Sequence, residues 1–411
     1  MLLEETHAGR VKIVAPKADR DLDAVIDLAS KTFGNYWSFR RQCRDGYILG
    51  APYDWSTSRI GVVGNQVVTH FGVWDFTMRV GVSRLRVAGI GAVATHDDYR
   101  KRGFMRRTVE ECLAAQRLAD YDLTLLFGIQ HFYDKFDYRR VFTDQAITVH
   151  RRDLPKMAAN HLAAESFREL EISPETIAGR LAERSNREFE STTGTFVRPS
   201  FTTNQKPNHW RGLEWVGTGG QSGYVIYDAS SRMLKLVDCA GDAGSVLAAL
   251  AAAVEENRCD GVRFTGVPAR SRLGLALRRG DASFEGRYVQ DGGAMAAVVN
   301  AQSTFEKLSP ELSRRLEESG FASWTGVLAV EVGAGKRVSL GVDNGRVAVV
   351  PDRETDAVIT AGADVVRLII GGEDPEALLL SGAVSATESA RPFVKSLFPC
   401  VDPGLLPWDH F

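Results

Sequence analysis

A basic turn between a predicted strand and a predicted helix has the clearest chemistry in this sequence. The apolar run Val87–Val93 predicts a buried strand. A polar segment follows, then Arg100-Lys101-Arg102-Gly103, then helical spacing of apolar residues at positions 105, 109, 112 and 113. The first N–H groups of a helix have no partner within it, so this arrangement favours an anionic ligand. The alternative interpretation is a solvated basic helix start.

The elements around this turn follow a recognisable order. A strand at 11–14 and an amphipathic helix at 19–33 come first, and a hairpin across Gly64-Asn65 leads into the strand that precedes the turn. Residues 122–128 predict the strand after the basic helix, and an aromatic-rich segment, 129–142, follows it. Aromatic side chains in such a segment are by default core residues.

These features together resemble the GCN5-related N-acetyltransferases, the GNAT superfamily. Arg100-x-x-Gly103-x-Met105 resembles that family's pyrophosphate loop, although Met105 stands where the family has a small residue. The pattern Phe132-Tyr133-x-x-Phe136-x-Tyr138 resembles the segment after its fifth strand. The resemblance implies direct transfer of an acetyl group from acetyl-CoA to an amine, with no metal and no nucleophilic enzyme residue.

The resemblance also implies which residues hold acetyl-CoA. Backbone groups near Val93 would meet the thioester, the basic turn would cradle the pyrophosphate, and the end of the next strand would flank the acyl arm. Tyr133 would protonate the leaving thiolate, whereas Tyr138 matches a structural position. The cofactor residues so implied are Val93, Ala94, Thr95, Lys101, Arg102, Gly103, Phe104, Met105, Arg106, Gly128 and Ile129.

The remaining chain predicts two further α+β domains. Residues 151–298 begin with predicted helices at 155–170 and 174–187 and then follow the strand–helix–strand order of the second half of a GNAT domain. The turn before the later helix, Cys239–Gly244, is acidic and unsuited to a pyrophosphate. Residues 299–411 predict a helix begun by Ser309 and Pro310, hairpins that include Asp343-Asn344-Gly345, and short helices. This last part resembles a sterol-carrier-protein-like module. The expected fold is therefore α+β, with a catalytic GNAT domain (1–150), a degenerate one (151–298) and the carrier-like domain (299–411).

This three-part order resembles the Eis (enhanced intracellular survival) branch of GNAT enzymes. That resemblance implies that the carboxylate of Phe411, the last residue, lies in the first domain's active site as a base or orienting group. The tail 405–411 is apolar and contains two prolines, which favours an anchored end rather than a frayed one. The resemblance further implies a homo-oligomer of six subunits.

Composition sets the limits on partners. The 411 residues carry a formal net charge of -2 and contain 25% charged residues, which gives no indication of nucleic acid or membrane as a partner. The five scattered cysteines and the absence of a leader pattern favour a cytoplasmic protein with reduced thiols. The expected acceptor is a small-molecule or peptide amine, either aminoglycoside-like or a lysine amine. Asp54, Asp75 and Asp409 would attract it between Trp37 and Trp55, although His410 in place of an acid speaks against aminoglycosides.

Two competing interpretations remain open at this point. The run His96-Asp97-Asp98 is metal-like, but a solvated turn explains it better. The carrier-like domain also suggests a lipid-binding protein with a vestigial transferase. Its tunnel would be lined by Val366, Leu368, Ile369, Leu378, Leu379 and Leu380.

Overall fold

The computed structural model describes residues 11–34, 43–129, 131–158, 167–200, 209–216, 222–287, 293–333 and 335–410, which form three β-sheets with flanking helices. The strands are β1 Lys12–Val14, β2 Arg59–Val63, β3 Gln66–Val80, β4 Ser83–Thr95, β5 Leu123–Gly128, β6 Arg139–Arg140, β7 Asp144–His150, β8 Arg168–Glu169, β9 Trp210–Val216, β10 Ser222–Asp228, β11 Met233–Ala240, β12 Gly261–Thr265, β13 Ser283–Arg287, β14 Gly293–Val298, β15 Gly326–Glu331, β16 Arg337–Asp343, β17 Arg346–Val350, β18 Val358–Thr360 and β19 Ser385–Ala386. The α-helices are α1 Ala18–Phe33, α2 Phe104–Leu118, α3 Leu154–Met157, α4 Pro174–Thr176, α5 Ala182–Glu188, α6 Ala243–Glu256, α7 Arg272–Arg279, α8 Ala301–Glu317, α9 Val365–Ile370, α10 Pro375–Leu380 and α11 Arg391–Leu397. Turns of 3-10 or π type span Cys43–Ile48, Asp97–Tyr99, Tyr133–Phe136, Ile177–Leu181, Gly362–Asp364 and Pro407–Asp409.

The first sheet has the order β1-β2-β3-β4-β5-β14-β6. Strands β1 to β4 are antiparallel, whereas β4 and β5 run parallel and are joined by α2. Successive side chains along β3 point to opposite faces of the sheet. Phe71 and Val73 therefore lie on the face covered by α2, and Trp74 and Phe76 lie on the face covered by α1. The predicted order of strand, helix, antiparallel strands, basic turn, helix and strand is confirmed, as is the hairpin across Gly64-Asn65. We call this sheet with α1 and α2 the first unit.

The second sheet repeats the first, strand for strand. Its order is β8-β9-β10-β11-β12-β7-β13, again with one parallel pair, β11 and β12, bridged by a helix, here α6. The neighbouring pairs are antiparallel, as in the first sheet. The strand–helix–strand order predicted for this part of the chain is confirmed. We call this sheet with α6 and α7 the second unit.

The two units exchange one strand each. Strand β7 pairs with β12 in the second sheet, and β14 pairs with β5 in the first sheet at the equivalent place. Positions 150 and 298, where the sequence predicts domain boundaries, therefore each end a strand that lies in the other unit's sheet. The exchanged strands pair with strands that are distant in the sequence, so no local sequence pattern predicts the exchange.

The third sheet, of order β17-β16-β15-β18-β19, packs with α8 to α11 and forms the third unit. Its buried residues belong to the same apolar cluster as the α1 face of the first sheet. The cluster includes Leu308 and Leu312 of α8 together with Leu328 and Leu340 of the sheet. The turn Asp343-Asn344-Gly345 joins β16 to β17 as predicted, with Asn344 and Gly345 both at positive φ.

Several predicted helices were wrong in extent. Helix α8 begins at Ala301, not at Ser309, and Pro310 lies inside it. Its buried stripe of Thr304, Phe305, Leu308 and Leu316 offsets the hydrogen bond that proline removes. The helix predicted over 155–170 is limited to α3 among the described residues, and 168–169 is a strand. The helix predicted over 174–187 is broken at Gly179, whose φ and ψ are -93° and -108°.

Candidate active site

The gap between β4 and β5 creates the main cavity of the first unit. The two strands pair from Val87 and Leu123 to Ile90 and Leu126, yet β4 continues to Thr95 and β5 to Gly128. At the point of separation β4 contains a bulge, where the register against β3 shifts and Ala92 takes a φ of +47°. A cavity of about 630 Å³ opens there. Its walls are the end of β4, the basic turn, the start of α2, the end of β5, Phe132 and Tyr133.

The basic turn is built to present N–H groups. Lys101 and Gly103 have φ of +60° and +75°, and Gly103 precedes α2 without any side-chain cap. Alternating left-handed positions of this kind form a concave nest of backbone donors, and the first N–H groups of α2 extend it. A Cβ atom on Gly103 would meet nothing within 4 Å, so the space above the turn is open.

The basic side chains around the turn differ in whether they form ion pairs. Arg100 pairs with Asp97 at 2.7 Å, and Arg106 with Glu110 at 3.1 Å. Lys101 and Arg102 make no ion pair with any residue that the structure describes, and both are exposed. Arg102 lies over the ring of Tyr99 at 5.2 Å. The two cations and the nest therefore offer an anion-binding surface at one end of the cavity.

Tyr133 also lines this cavity. It is 7% exposed, and within the described part of the chain its hydroxyl makes no hydrogen bond. Burial raises the pKa of Tyr133 to about 12. The neighbouring Tyr138 is completely buried, with its hydroxyl 2.8 Å from that of Thr124, which confirms its structural role.

The cavity brings together most of the predicted cofactor residues. Ala94 and Gly128 are not among its lining residues: Ala94 is buried in the sheet, and Gly128 faces Tyr133. A Cβ atom on Gly128 would lie 2.7 Å from Tyr133 Cδ2, so this glycine makes room for the tyrosine ring. Phe411 lies outside the described residues, as does Trp37. The predicted residues that do line the cavity are Val93, Thr95, Lys101, Arg102, Gly103, Phe104, Met105, Arg106, Ile129 and Tyr133.

The equivalent turn of the second unit is closed to anions. Asp242 Oδ1 accepts a hydrogen bond from the N–H of Ser245 at 3.0 Å, so a carboxylate of the chain itself caps α6. This is the physical reason why the acidic turn, seen in the sequence, is unsuited to a pyrophosphate.

A smaller cavity of about 260 Å³ lies across Phe127 from the first one. It is enclosed by parts of all three regions of the chain: Phe127 of β5, Arg263 and Arg287 of the second sheet, and the tail from Pro403 to His410. The rings of His410 and Phe127 are 4.9 Å apart. Burial lowers the pKa of His410, although its bond to Leu405 O opposes the shift. Partial burial raises the pKa of Asp144, another wall residue of this cavity.

The chain's tail is anchored on the second unit. Leu406 and Trp408 are 2% exposed and pack into that unit's two apolar clusters. Asp409 accepts from Arg198 at 2.9 Å and from Ser200 at 2.6 Å. Arg198 in turn binds Asp238 through two hydrogen bonds of 2.6 and 2.9 Å. The anchored end predicted from composition is confirmed up to His410.

The three acidic residues predicted to attract an acceptor are each bonded to other residues of the chain. Asp54 accepts from Tyr121 and Ser56, Asp75 pairs with Arg86 at 2.7 Å, and Asp409 is held in the tail anchor. Each carboxylate is already bonded, and none lines either cavity.

The sequence did not single out Phe127 or His70 as site residues. The signal for His70 in the sequence is a histidine inside the mostly apolar stretch Val67–Trp74 of β3.

Other kinds of site find little support. Within the described ranges no three His, Cys, Asp or Glu side chains converge as they would around a metal ion. Likewise, none of the helices described is long and apolar enough to cross a membrane.

Comparison with known proteins agrees with this geometry. Residues 14–141 match the acetyltransferase (GNAT) domain family, and no curated protein matches the chain by sequence. A GCN5-related N-acetyltransferase from Kribbella flavida is similar in structure at a TM-score of 0.72 and 18% identity, over 98% of both chains. One from Anabaena variabilis gives 0.74 and 17%, over 98% of this chain and 100% of that one. Eis1 from Mycobacterium abscessus gives 0.67 and 14%, over the same shares. Residues 14–141, which contain the open basic turn, therefore form an acetyltransferase (GNAT) domain, and the fold of the chain is similar to that of Eis1.

Proposed function

We propose that this protein transfers an acetyl group from acetyl-CoA directly to the amine of a small molecule or of a peptide lysine. One observation carries the proposal: a single cavity is lined by the open basic turn before α2, the bulged end of β4 and Tyr133. In the reaction a carbon–nitrogen bond forms, the carbon–sulfur bond breaks and the thiolate takes up a proton.

The basic turn binds the pyrophosphate in this proposal. Lys101 and Arg102 supply charge, and the N–H groups at the start of α2 supply directed donors. The backbone around Val93 accommodates the thioester, and an N–H there stabilises the charge that develops on its oxygen. No step requires a metal or a covalent enzyme intermediate.

Tyr133 serves as the general acid. Its burial favours the neutral, proton-bearing form of the phenol, and its hydroxyl has no bond to another described residue. The resemblance to Eis enzymes assigns the base or orienting role to the carboxylate of Phe411. The anchored tail up to His410, at the wall of the smaller cavity, supports this assignment because it limits where the next residue can lie.

The acceptor enters from the smaller cavity in this proposal. That cavity shares the wall residue Phe127 with the larger one, and its walls include the carboxylates Asp144 and Glu285. Glu285 is engaged by Arg263 at 2.9 Å and also pairs with Arg287. Asp144 makes no hydrogen bond or ion pair among the described residues, so it is the carboxylate available to a cationic amine.

The other two units have supporting roles. We assign residues 151–298 to a degenerate GNAT-like domain, because Asp242 closes its anion site, and residues 299–411 to a sterol-carrier-like domain. Four of the supposed tunnel residues, Val366, Leu368, Ile369 and Leu378, are at most 1% exposed in a core shared with the first unit. Leu380 is 82% exposed. This packing supports the enzyme over a lipid carrier.

A coenzyme A release assay over a panel of amines tests the proposal. Wild-type protein should release coenzyme A only when an amine is present. Lys101→Ala with Arg102→Ala should raise KM for acetyl-CoA, and Tyr133→Phe should lower kcat on the order of 10²-fold. Arg107→Ala, a change of an exposed arginine that does not line the cavity, is the matched control. Absence of turnover with every amine would refute the proposal, and light scattering of the eluted protein tests the six-subunit assembly.

A further inference from the structure

A completely buried histidine lies behind the bulge of β4. His70 on β3 is 0% exposed and is not among the residues that line the larger cavity. Its Nδ1 lies 2.7 Å from the carbonyl oxygen of Ala92, and its Nε2 lies 2.8 Å from the hydroxyl of Tyr53. The reaction proposed above gives this group no part.

The contacts fix which nitrogen carries the proton. A carbonyl oxygen can only accept, so Nδ1 carries the hydrogen and donates it to Ala92. The Nε2 atom is then an acceptor for the hydroxyl of Tyr53. Tyr53 is itself held by ring contacts with Trp55 at 4.7 Å and Trp74 at 5.0 Å. Burial lowers the pKa of His70 to about 4, so the neutral form required by this arrangement persists at neutral pH.

The bonded carbonyl belongs to an unusual peptide. Ala92 has a φ of +47°, a left-handed conformation that residues with a Cβ rarely adopt. The C=O and the N–H of one trans peptide point in opposite directions. Because the carbonyl of Ala92 points to His70, the N–H of Val93 points away from it. Ala92 and Val93 both line the larger cavity, beyond the last pair of β4 with β5.

We propose that His70 is a positioning residue for acetyl transfer: its hydrogen bond to Ala92 holds the bulged peptide so that the N–H of Val93 is directed at the thioester carbonyl. The inference rests on the proposed binding of acetyl-CoA in this cavity. This role explains why a histidine, and not an apolar residue, occupies this buried position of β3. His70 acts through the backbone and touches no reacting atom.

Two substitutions of similar size separate this role from core filling. The amide nitrogen of asparagine reaches the place of Nδ1, so His70→Asn keeps a donor to Ala92 and loses the contact with Tyr53. The glutamine amide reaches the place of Nε2, so His70→Gln keeps the contact with Tyr53 and loses the donor to Ala92. A residue that only filled the core would make both variants alike.

The first measurement does not depend on turnover. Acetyl-CoA labelled with ¹³C at the carbonyl is bound to each full-length protein, and isotope-edited infrared spectra give the thioester stretch. A hydrogen bond lowers that frequency, so we expect wild type and His70→Asn to lie below His70→Gln. Identical frequencies in wild type and His70→Gln would overturn the inference.

The second measurement uses steady-state coenzyme A release. His70→Gln should lose kcat by about 10- to 100-fold, part of the effect of removing one oxyanion donor, with KM for acetyl-CoA within about threefold. His70→Asn should keep kcat within about threefold of wild type, by the same reasoning. Equal losses in both variants, or a loss confined to KM, would contradict the positioning role.

Failure of the proposed function gives a different result. If wild type binds acetyl-CoA and acetylates no amine, that function fails while the infrared comparison still decides the inference. If the wild-type protein does not bind acetyl-CoA, both the proposed function and the positioning role of His70 are refuted.

Discussion

Replacement of Asp409 by alanine should release the tail while leaving the second unit folded. The carboxylate is 4% exposed and accepts from Arg198 at 2.9 and 3.3 Å and from Ser200 at 2.6 Å. Arg198 keeps its two bonds to Asp238 in the variant, so the cation is not left unpaired. The substitution therefore weakens the binding of the tail to the second unit and leaves the core of that unit intact.

The magnitude follows from the bonds removed. A hydrogen bond to a charged partner contributes about 1.5–3 kcal/mol, and breaking a buried pair costs about 3–5 kcal/mol when one charge is left uncompensated. Since Asp238 still compensates Arg198, we expect about 3 kcal/mol for tail release. That free energy corresponds to an increase on the order of 10²-fold in the population with a free tail.

Carboxypeptidase digestion followed by mass spectrometry measures this population. Cleavage requires a free chain end, so its rate follows the open fraction when opening is fast. The rate for Asp409→Ala should exceed the wild-type rate on the order of 10²-fold, by the same arithmetic. Asp402→Asn is the control: its side chain is 43% exposed, it lies 3.7 Å from Arg278, and asparagine tolerates its φ of +45°. Equal digestion of wild type and Asp409→Ala would refute the reasoning.

Three further outcomes follow from burial and topology. Because burial raises the pKa of Tyr133 to about 12, kcat should stay level from neutral pH to about pH 10; a decline with an apparent pKa near 10 would show that Tyr133 is solvated or is not the acid. Burial lowers the pKa of His70 from 6.5 to about 4, so between these pH values the unfolded chain binds a proton that the folded chain does not. The free energy of unfolding should therefore fall by up to about 3 kcal/mol as the pH drops from 6.5 to 4. Urea unfolding at several pH values should show a smaller decline in His70→Asn, and parallel curves would exclude the shift. A chain limited to residues 1–143 lacks β14, the partner of β5, and should give the circular dichroism spectrum of an unfolded protein. Adding residues 293–298 as a separate peptide should restore the strand signal in that spectrum. A folded spectrum without the peptide would show that β14 is dispensable.

Local chemistry explains what the sequence could predict. The basic turn was predictable because its parts are contiguous: an apolar strand, Arg100 to Gly103, and an amphipathic helix. The hairpins at Gly64-Asn65 and Asn344-Gly345 were predictable because their turn geometry demands those residue types. The family resemblance implied a structural position for Tyr138, and the structure buries its side chain completely.

Non-local contacts explain what the sequence could not predict. The tertiary environment determines where α8 begins, since Asn300 offers no side-chain cap and Pro310 is the stronger local signal. Asp54 and Asp75 were misassigned because a carboxylate in a sequence does not reveal that Tyr121 or Arg86 already binds it. The role of His70 depends on a bulge that arises only when β3 and β4 pair.

The strand exchange and the tail give the second unit a function that its own chemistry lacks. Asp242 caps α6 in the second unit, and this unit contributes Arg263 and Arg287 to the smaller cavity and Arg198 to the tail anchor. Strand β7 leaves the first unit to complete the second sheet, and β14 returns to complete the first. Loss of residues 151–298 would therefore remove β14 beside β5, one wall of the smaller cavity and the support of the tail together. The second unit, whose own turn is capped by Asp242, thus helps to form the smaller cavity and to hold the tail.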